Sequence, residues 1–165
     1  MDLILLTQLK KKVKRKNKLY AGYIYLKPIN GVIFPSYIQN QINKNFITKN
    51  LKASFFLSTN ENEYSKNRIV LNSLINEDNK LKGIVMLSAF SLPENKILRS
   101  KIYKDLFKKK KELRFIFENY CIKKKGNEKK IEEYLIFRNS FFTNVKSSLN
   151  NFERKYFVNR KFSFV

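Results

Sequence analysis

The chain has 165 residues, with 35 Lys and Arg against 13 Asp and Glu, so its formal charge is +22. That length fits one domain, and 43% apolar residues with 15% aromatic are enough to bury a core, which excludes disorder over the full length. The absence of His excludes an imidazole base, a Ser–His–Asp triad and a His metal ligand, and a single Cys excludes an internal disulfide, a Cys-built zinc site and a CxxC redox pair.

Residues 1–20 end in the basic stretch Lys10 to Lys18 and read as an N-terminal extension. The apolar run Leu3–Leu6 precedes these cations, whereas a signal peptide carries its cations first. Tyr23–Leu26, with β-branched and aromatic residues, predicts a first strand, and Lys27–Gly31 a turn. Pro35 and Ser36 open a helix to about Asn50, with Ile38, Ile42 and Phe46 recurring every four residues. Ala53–Leu57 is a second strand, and Asn67–Glu77 a helix with Leu71, Leu74 and Ile75 inward. Gly83–Leu87, the most purely apolar run, is expected at the centre of the sheet. A third helix follows from Glu94 to about Lys110, on a Leu98, Ile102 and Leu106 stripe. Leu113–Phe117 is a fourth strand, Lys123–Asn127 a turn, and Glu128–Phe142 a fourth helix with Ile131, Tyr134 and Leu135. Cys121 reads as a small buried hydrophobe.

The expected fold is therefore α/β: an open, mainly parallel four-stranded sheet with helices on both faces, in the order βαβαβαβα. The expected division is a basic N-terminal extension, 1–20, an α/β domain, 21–142, and a basic aromatic C-terminal tail, 143–165. No segment reaches the roughly 18 apolar residues that cross a bilayer. With the low cysteine usage this predicts a cytoplasmic protein, and the lysines add peripheral contact with the inner membrane as a further expectation.

Open parallel sheets bind ligands outside the carboxyl ends of their strands. That edge collects Lys27 after the first strand, Ser58 and Glu61 after the second, Ser88 after the third, and Glu118 and Asn119 after the fourth. Gln39 and Asn40, at the start of the first helix, lie on the same edge. Glu118 and Glu61 are the candidate catalytic acid and base, provided that burial separates their pKa values. Gln39, Asn40, Ser58, Ser88, Lys27 and Asn119 are candidates for substrate binding. Each has a plainer reading, since carboxylates and hydroxyls at strand ends often cap helices. Neither GxGxxG nor GxxxxGK[ST] occurs, and no DxD pair is present to hold a metal, so no cofactor and no metal are expected.

The segments Gly22-Tyr23-Ile24, Pro35 through Gln39-Asn40, Leu57-Ser58 with Glu61, Gly83-Ile84-Val85, Ser88-x-Phe90-x-Leu92-Pro93, Arg99 with Ile102-Tyr103, and Glu112-Leu113-Arg114-Phe115 through Glu118 occur in a characteristic order and spacing. Together, over residues 21–140, they resemble the "sporadic carbohydrate cluster" family, small bacterial proteins encoded among genes for lipopolysaccharide, O-antigen and other surface glycans. The chain departs from that pattern at Thr59-Asn60-Glu61-Asn62, where the family has Ala-Thr-Glu-Tyr. The resemblance implies a place in surface-polysaccharide biosynthesis, with an anionic sugar or sugar nucleotide as ligand, and names no reaction. A more distant likeness, in β–α order and a Gln-bearing first helix, is to the serine resolvase catalytic domain. The resolvase nucleophile follows the first strand in a Tyr-x-Arg-x-Ser pattern, and Tyr23–Lys27 lacks both the Arg and the Ser, so this likeness implies fold and not recombination. The alternative to a sugar-binding protein is a non-catalytic module that binds RNA or another polyanion through the basic tails.

Overall fold

The computed structural model describes residues 18–29, 32–62, 64–76 and 80–153, with side chains up to Phe141. Of the expected extension 1–20, residues 1–17 lie outside the described residues, as do Asn30, Gly31 and residues 154–165, whereas Leu19 and Tyr20 belong to the first strand. The elements in order are β1 (Leu19–Ile24), α1 (Ser36–Asn45), which runs on as a wider π turn over Phe46–Asn50, β2 (Ser54–Asn60), α2 (Ile69–Asn76), β3 (Leu81–Met86), a 3₁₀ turn over Ala89–Ser91, α3 (Lys96–Lys108), β4 (Glu112–Phe115), β5 (Tyr120–Ile122) and α4 (Glu128–Glu153).

The sheet has the order β2-β1-β3-β4-β5. Four strands are parallel, as expected, and β3 is central. The strand count differs from expectation, because β5 pairs antiparallel with β4 through Leu113↔Ile122, Arg114↔Cys121 and Phe115↔Tyr120. Phe117, expected inside the fourth strand, instead lies in the Ile116–Asn119 turn, where Asn119 adopts φ 45°, a left-handed conformation that Asn tolerates.

Strand alternation sends successive side chains to opposite faces. Tyr20 and Gly22 face α1, and Tyr20 packs with Ile47 and Val85 in a cluster rimmed by Phe46, Leu51 and Phe55. Tyr23 points to the other face, where its phenol meets Glu61 at the start of α2. The order reverses direction at β1: the chain steps out to β2 on one side and returns to β3 on the other. That places α1 over one face and α2 and α3 over the other.

The inward stripes of α2 and α3 largely follow the apolar pattern: Leu71, Leu74, Ile75, Ile102 and Leu106 are buried. On α1 the stripe is shifted by one position. Ile38, Ile42 and Phe46 are only half-buried, whereas Gln39, Asn43 and Ile47 are buried. The reason is polar. Asn43 Nδ2 donates to the Tyr23 carbonyl at 3.2 Å, and Gln39 grips the backbone of Tyr25 just beyond the end of β1. Gln39 takes both Tyr25 backbone groups, so β1 ends at Ile24 instead of continuing to Leu26 as expected.

Residues from Glu128 onward form a second compact unit. Its helix α4 continues to Glu153, well past the expected end at Phe142. Ile131 and Leu135 are buried on it, and Tyr134 is exposed. Among the described residues no helix is long and apolar enough to cross a membrane.

Candidate functional site

A cavity of about 520 Å³ opens at the carboxyl end of β1, beside the reversal in strand order. Its walls come from Tyr25 and Lys27 after β1, Tyr64–Arg68 before α2, and Glu94, Asn95 and Leu98 at the start of α3. The volume is in the range of small-ligand sites, and the position follows the rule for open α/β sheets.

Arg68 dominates its chemistry. It is 3% exposed and sits at φ 51°, in the left-handed region, immediately before α2. Its Nε donates to the Ser91 carbonyl at 3.1 Å, one terminal nitrogen to the Leu92 carbonyl at 3.5 Å, and the other to the Ser65 carbonyl. The guanidinium carbon lies 3.9 Å from the centre of the Tyr25 ring. Among the described residues no carboxylate is within ion-pair distance of it. Among the described residues the buried charge is therefore held by carbonyl dipoles and a ring face, which take up three of its five N–H donors.

Lys27 Nζ pairs with the Glu94 carboxylate at the rim, and this hydrogen bond, reinforced by the lysine's charge, holds the Glu94 carboxyl below its ordinary pKa. With Lys66 exposed beside it, the described lining holds three cations to one carboxylate. Ser65, Asn67 and Asn95 add groups able to bond hydroxyls, although Asn95 Oδ1 already caps α3 through Ile97 N–H at 2.7 Å.

Of the residues expected at this edge, Lys27 lines the cavity. Glu61 is not among the lining residues and is 4% exposed; its Oε2 accepts from the Tyr23 hydroxyl at 3.1 Å and from the Val70 and Leu71 N–H groups at 3.0 and 3.3 Å. One carboxylate thus ties β1 to the first turn of α2, where the helix dipole favours negative charge. Burial first, and then the Glu61 charge, keep the Tyr23 phenol protonated far above its ordinary range.

Ser88 and Glu118 form a separate pair. Ser88 Oγ donates to Glu118 Oε1 at 2.5 Å and accepts from Phe90 N–H at 3.3 Å, and Ala89 N–H donates to the same carboxylate at 3.2 Å. The pair fastens the 3₁₀ turn after β3 to the turn after β4, which Asn119 closes. Gln39, Asn40 and Ser58 lie on the α1 side. Ser58 falls inside β2, opposite Gly22, and not in the loop after it. Asn40 Oδ1, Asn43 Oδ1 and Ser58 Oγ are buried atoms without a hydrogen-bond partner among the described residues. The residues expected along this edge thus fall into three local groups, and Gln39 bonds the backbone of the cavity-lining Tyr25.

Sequence reasoning missed Arg68, Tyr25, Tyr64 and Glu94. Arg68 had one signal: a cation between a polar loop and an apolar helix. Its burial follows from the left-handed turn, which no periodicity reports. Among the described residues no cluster of metal-ligating side chains is present.

No family model matches the chain, and no curated protein matches it. Among solved structures it is similar to the N-terminal catalytic domain of TP901-1 integrase, with a TM-score of 0.53 and 16% identity, over 84% of this chain and 98% of that domain. Identity at that level speaks to fold alone, and the Tyr23–Lys27 segment holds neither Ser nor Arg. The chain has an α/β fold resembling that of a serine-integrase catalytic domain.

Proposed function

We propose that the chain binds an anionic sugar or sugar nucleotide in the cavity at the end of β1, as a cytoplasmic component of bacterial surface-polysaccharide biosynthesis. The observation that supports this ligand class best is Arg68, a buried guanidinium facing a ligand-sized cavity with, among the described residues, no carboxylate at ion-pair distance. A phosphate or carboxylate would add a directly bonded countercharge through charge-assisted hydrogen bonds, worth about twice neutral ones. Tyr64, beside it, offers an apolar ring face to a sugar, and Ser65 and Asn67 offer polar groups to its hydroxyls. The pathway rests on the resemblance of residues 21–140 to the carbohydrate-cluster family.

Calorimetric titration of the full chain with UDP-glucuronate, UDP and glucose tests the ligand class. Binding of the charged ligands and not of glucose is expected, with Lys27→Gln and Lys66→Gln each weakening it about 5-fold. Equal binding of glucose, or no binding of either anion, would overturn the reading. Mass spectrometry of the surface glycan from a deletion strain tests the pathway; an unchanged glycan would remove it.

A further inference from the structure

We infer that the amino edge of the sheet, opposite the cavity, is a binding surface for duplex nucleic acid, held through its phosphates. Every strand meets this edge beside a lysine. Lys18 precedes β1, Lys52 stands just ahead of β2, and Lys80 adjoins β3. The pairings Leu19↔Ser54, Leu19↔Leu81 and Gly83↔Glu112 bring these strand starts level. The antiparallel pairing Leu113↔Ile122 then sets the Lys123–Lys125 run beside the Lys108–Lys110 run. All of these lysines are exposed. Lys111 alone turns inward, donating to the Leu74 carbonyl at 2.7 Å.

Among the described residues the lysines of the row outnumber the carboxylates beside them in sequence and pairing, Asp105, Glu112 and Glu128; none of the three is exposed, and Glu112 is engaged by Tyr20 and Arg114, with Lys123 at 3.9 Å. Glu77 and Asp78 lie outside the described residues. Five strands about 4.8 Å apart set the row across roughly 19 Å, comparable to five or six phosphates at about 3.4 Å along one strand of a duplex.

The setting selects the partner. A lipid surface would draw exposed apolar residues to the same edge, but Leu26, Ile33, Tyr64 and Ile97 are exposed at the other end of the sheet. Sequence-tolerant binders of single strands stack bases on aromatic rings, and no large aromatic residue is exposed along the lysine row among the described residues. A row of cations without rings or inserting side chains suits a phosphate backbone read without regard to base.

The test is fluorescence anisotropy of the full chain with a labelled 20-base-pair DNA duplex and its RNA counterpart, across a salt series. The variant Lys18→Gln/Lys109→Gln/Lys124→Gln is compared with Lys44→Gln/Lys96→Gln/Lys101→Gln, which removes equal charge elsewhere; circular dichroism confirms that both fold. The row variant should lose at least about 10-fold in affinity at low salt and reduce the log–log salt slope by about 2.7, while the control changes less than about 3-fold. Equal loss in both variants, a row variant that binds like the wild type, a salt-independent wild type, or capture of phosphatidylglycerol vesicles without duplex binding would each overturn the inference. UDP-glucuronate titration of the row variant separates this surface from the cavity, since its affinity should be unchanged there.

Discussion

Gln39 and Tyr25 close a ring of hydrogen bonds about a single residue's backbone: the Tyr25 N–H donates to Gln39 Oε1 at 3.3 Å, and Gln39 Nε2 donates to the Tyr25 carbonyl at 3.0 Å. The same Nε2 also reaches the Phe34 carbonyl at 2.7 Å, so one 1%-exposed side chain serves three backbone groups.

Gln39→Ala leaves those groups unpaired in a buried place. We expect a loss of about 3 kcal/mol in urea unfolding, and Gln39→Glu to fare no better, because it loses both donations and buries a carboxylate. A loss under about 1 kcal/mol in either variant would show that the clamp matters little. Because Tyr25 floors the cavity, anion affinity should fall in parallel.

Gly22 faces Ser58 across the β1–β2 pairing. A Cβ there would collide with Ser58 Oγ and meet Asn43 Cβ at 3.2 Å. Gly22→Ala should cost about 1 to 3 kcal/mol. Adding Ser58→Gly should recover part of that, since it removes the closest atom, and the double-mutant cycle measures the coupling. Additive losses would place the strain elsewhere.

Glu94 pairs with Lys27, but its side chain is 83% exposed, so solvent reduces the pair to under about 1 kcal/mol. Its carboxyl is held below the ordinary value, so the pair's contribution is present above about pH 4.3 and is lost as pH falls through the lowered folded value. The stability gap between wild type and Glu94→Gln should therefore close in acid; a gap that persists at pH 2 would mean that charge is not its source. The same substitution removes the one carboxylate among the described lining residues and should tighten anion binding about 3-fold.

Cys121 is half-buried in β5, its Sγ 3.7 Å from Glu112 Oε2. Burial first, and the Glu112 charge next, push its thiol up to about 11, against the opposing pull of Arg114 and Lys123. Alkylation by iodoacetamide at pH 8 should run at least about 10-fold slower than in the unfolded chain. The rate should still be climbing at pH 10, and a plateau below pH 9 would contradict the assignment.

The parts of this architecture that announce themselves in the sequence are those built by apolar periodicity. Gly83–Leu87 has too few polar residues for any place but the middle of the sheet, and Leu71, Leu74 and Ile75 can face only inward. Periodicity misleads where polar side chains do the packing. On α1 the Ile38, Ile42 and Phe46 spacing points one position away from the buried Gln39 and Asn43, because no hydropathy scale records that the Tyr23 and Tyr25 carbonyls need donors. β5 is three residues long and owes its place to the Ile116–Asn119 turn, too little sequence for a pattern. At the carboxyl edge the residue types were legible, but their grouping was not: Glu61 pairs with the amides of α2 and Glu118 with Ser88, and the cavity between loops is organised by a guanidinium whose direction is set by one left-handed residue.

The amide stripe of α1 has a consequence for how the chain finds its structure. An oily helix face tolerates sliding, since one aliphatic contact replaces another at similar energy. Gln39 and Asn43 accept no such exchange: a shift by one residue or one turn separates each amide from its carbonyl and strands both away from water. The helix is thereby addressed to one position on the strand, and slipped arrangements become costly decoys that folding can reject.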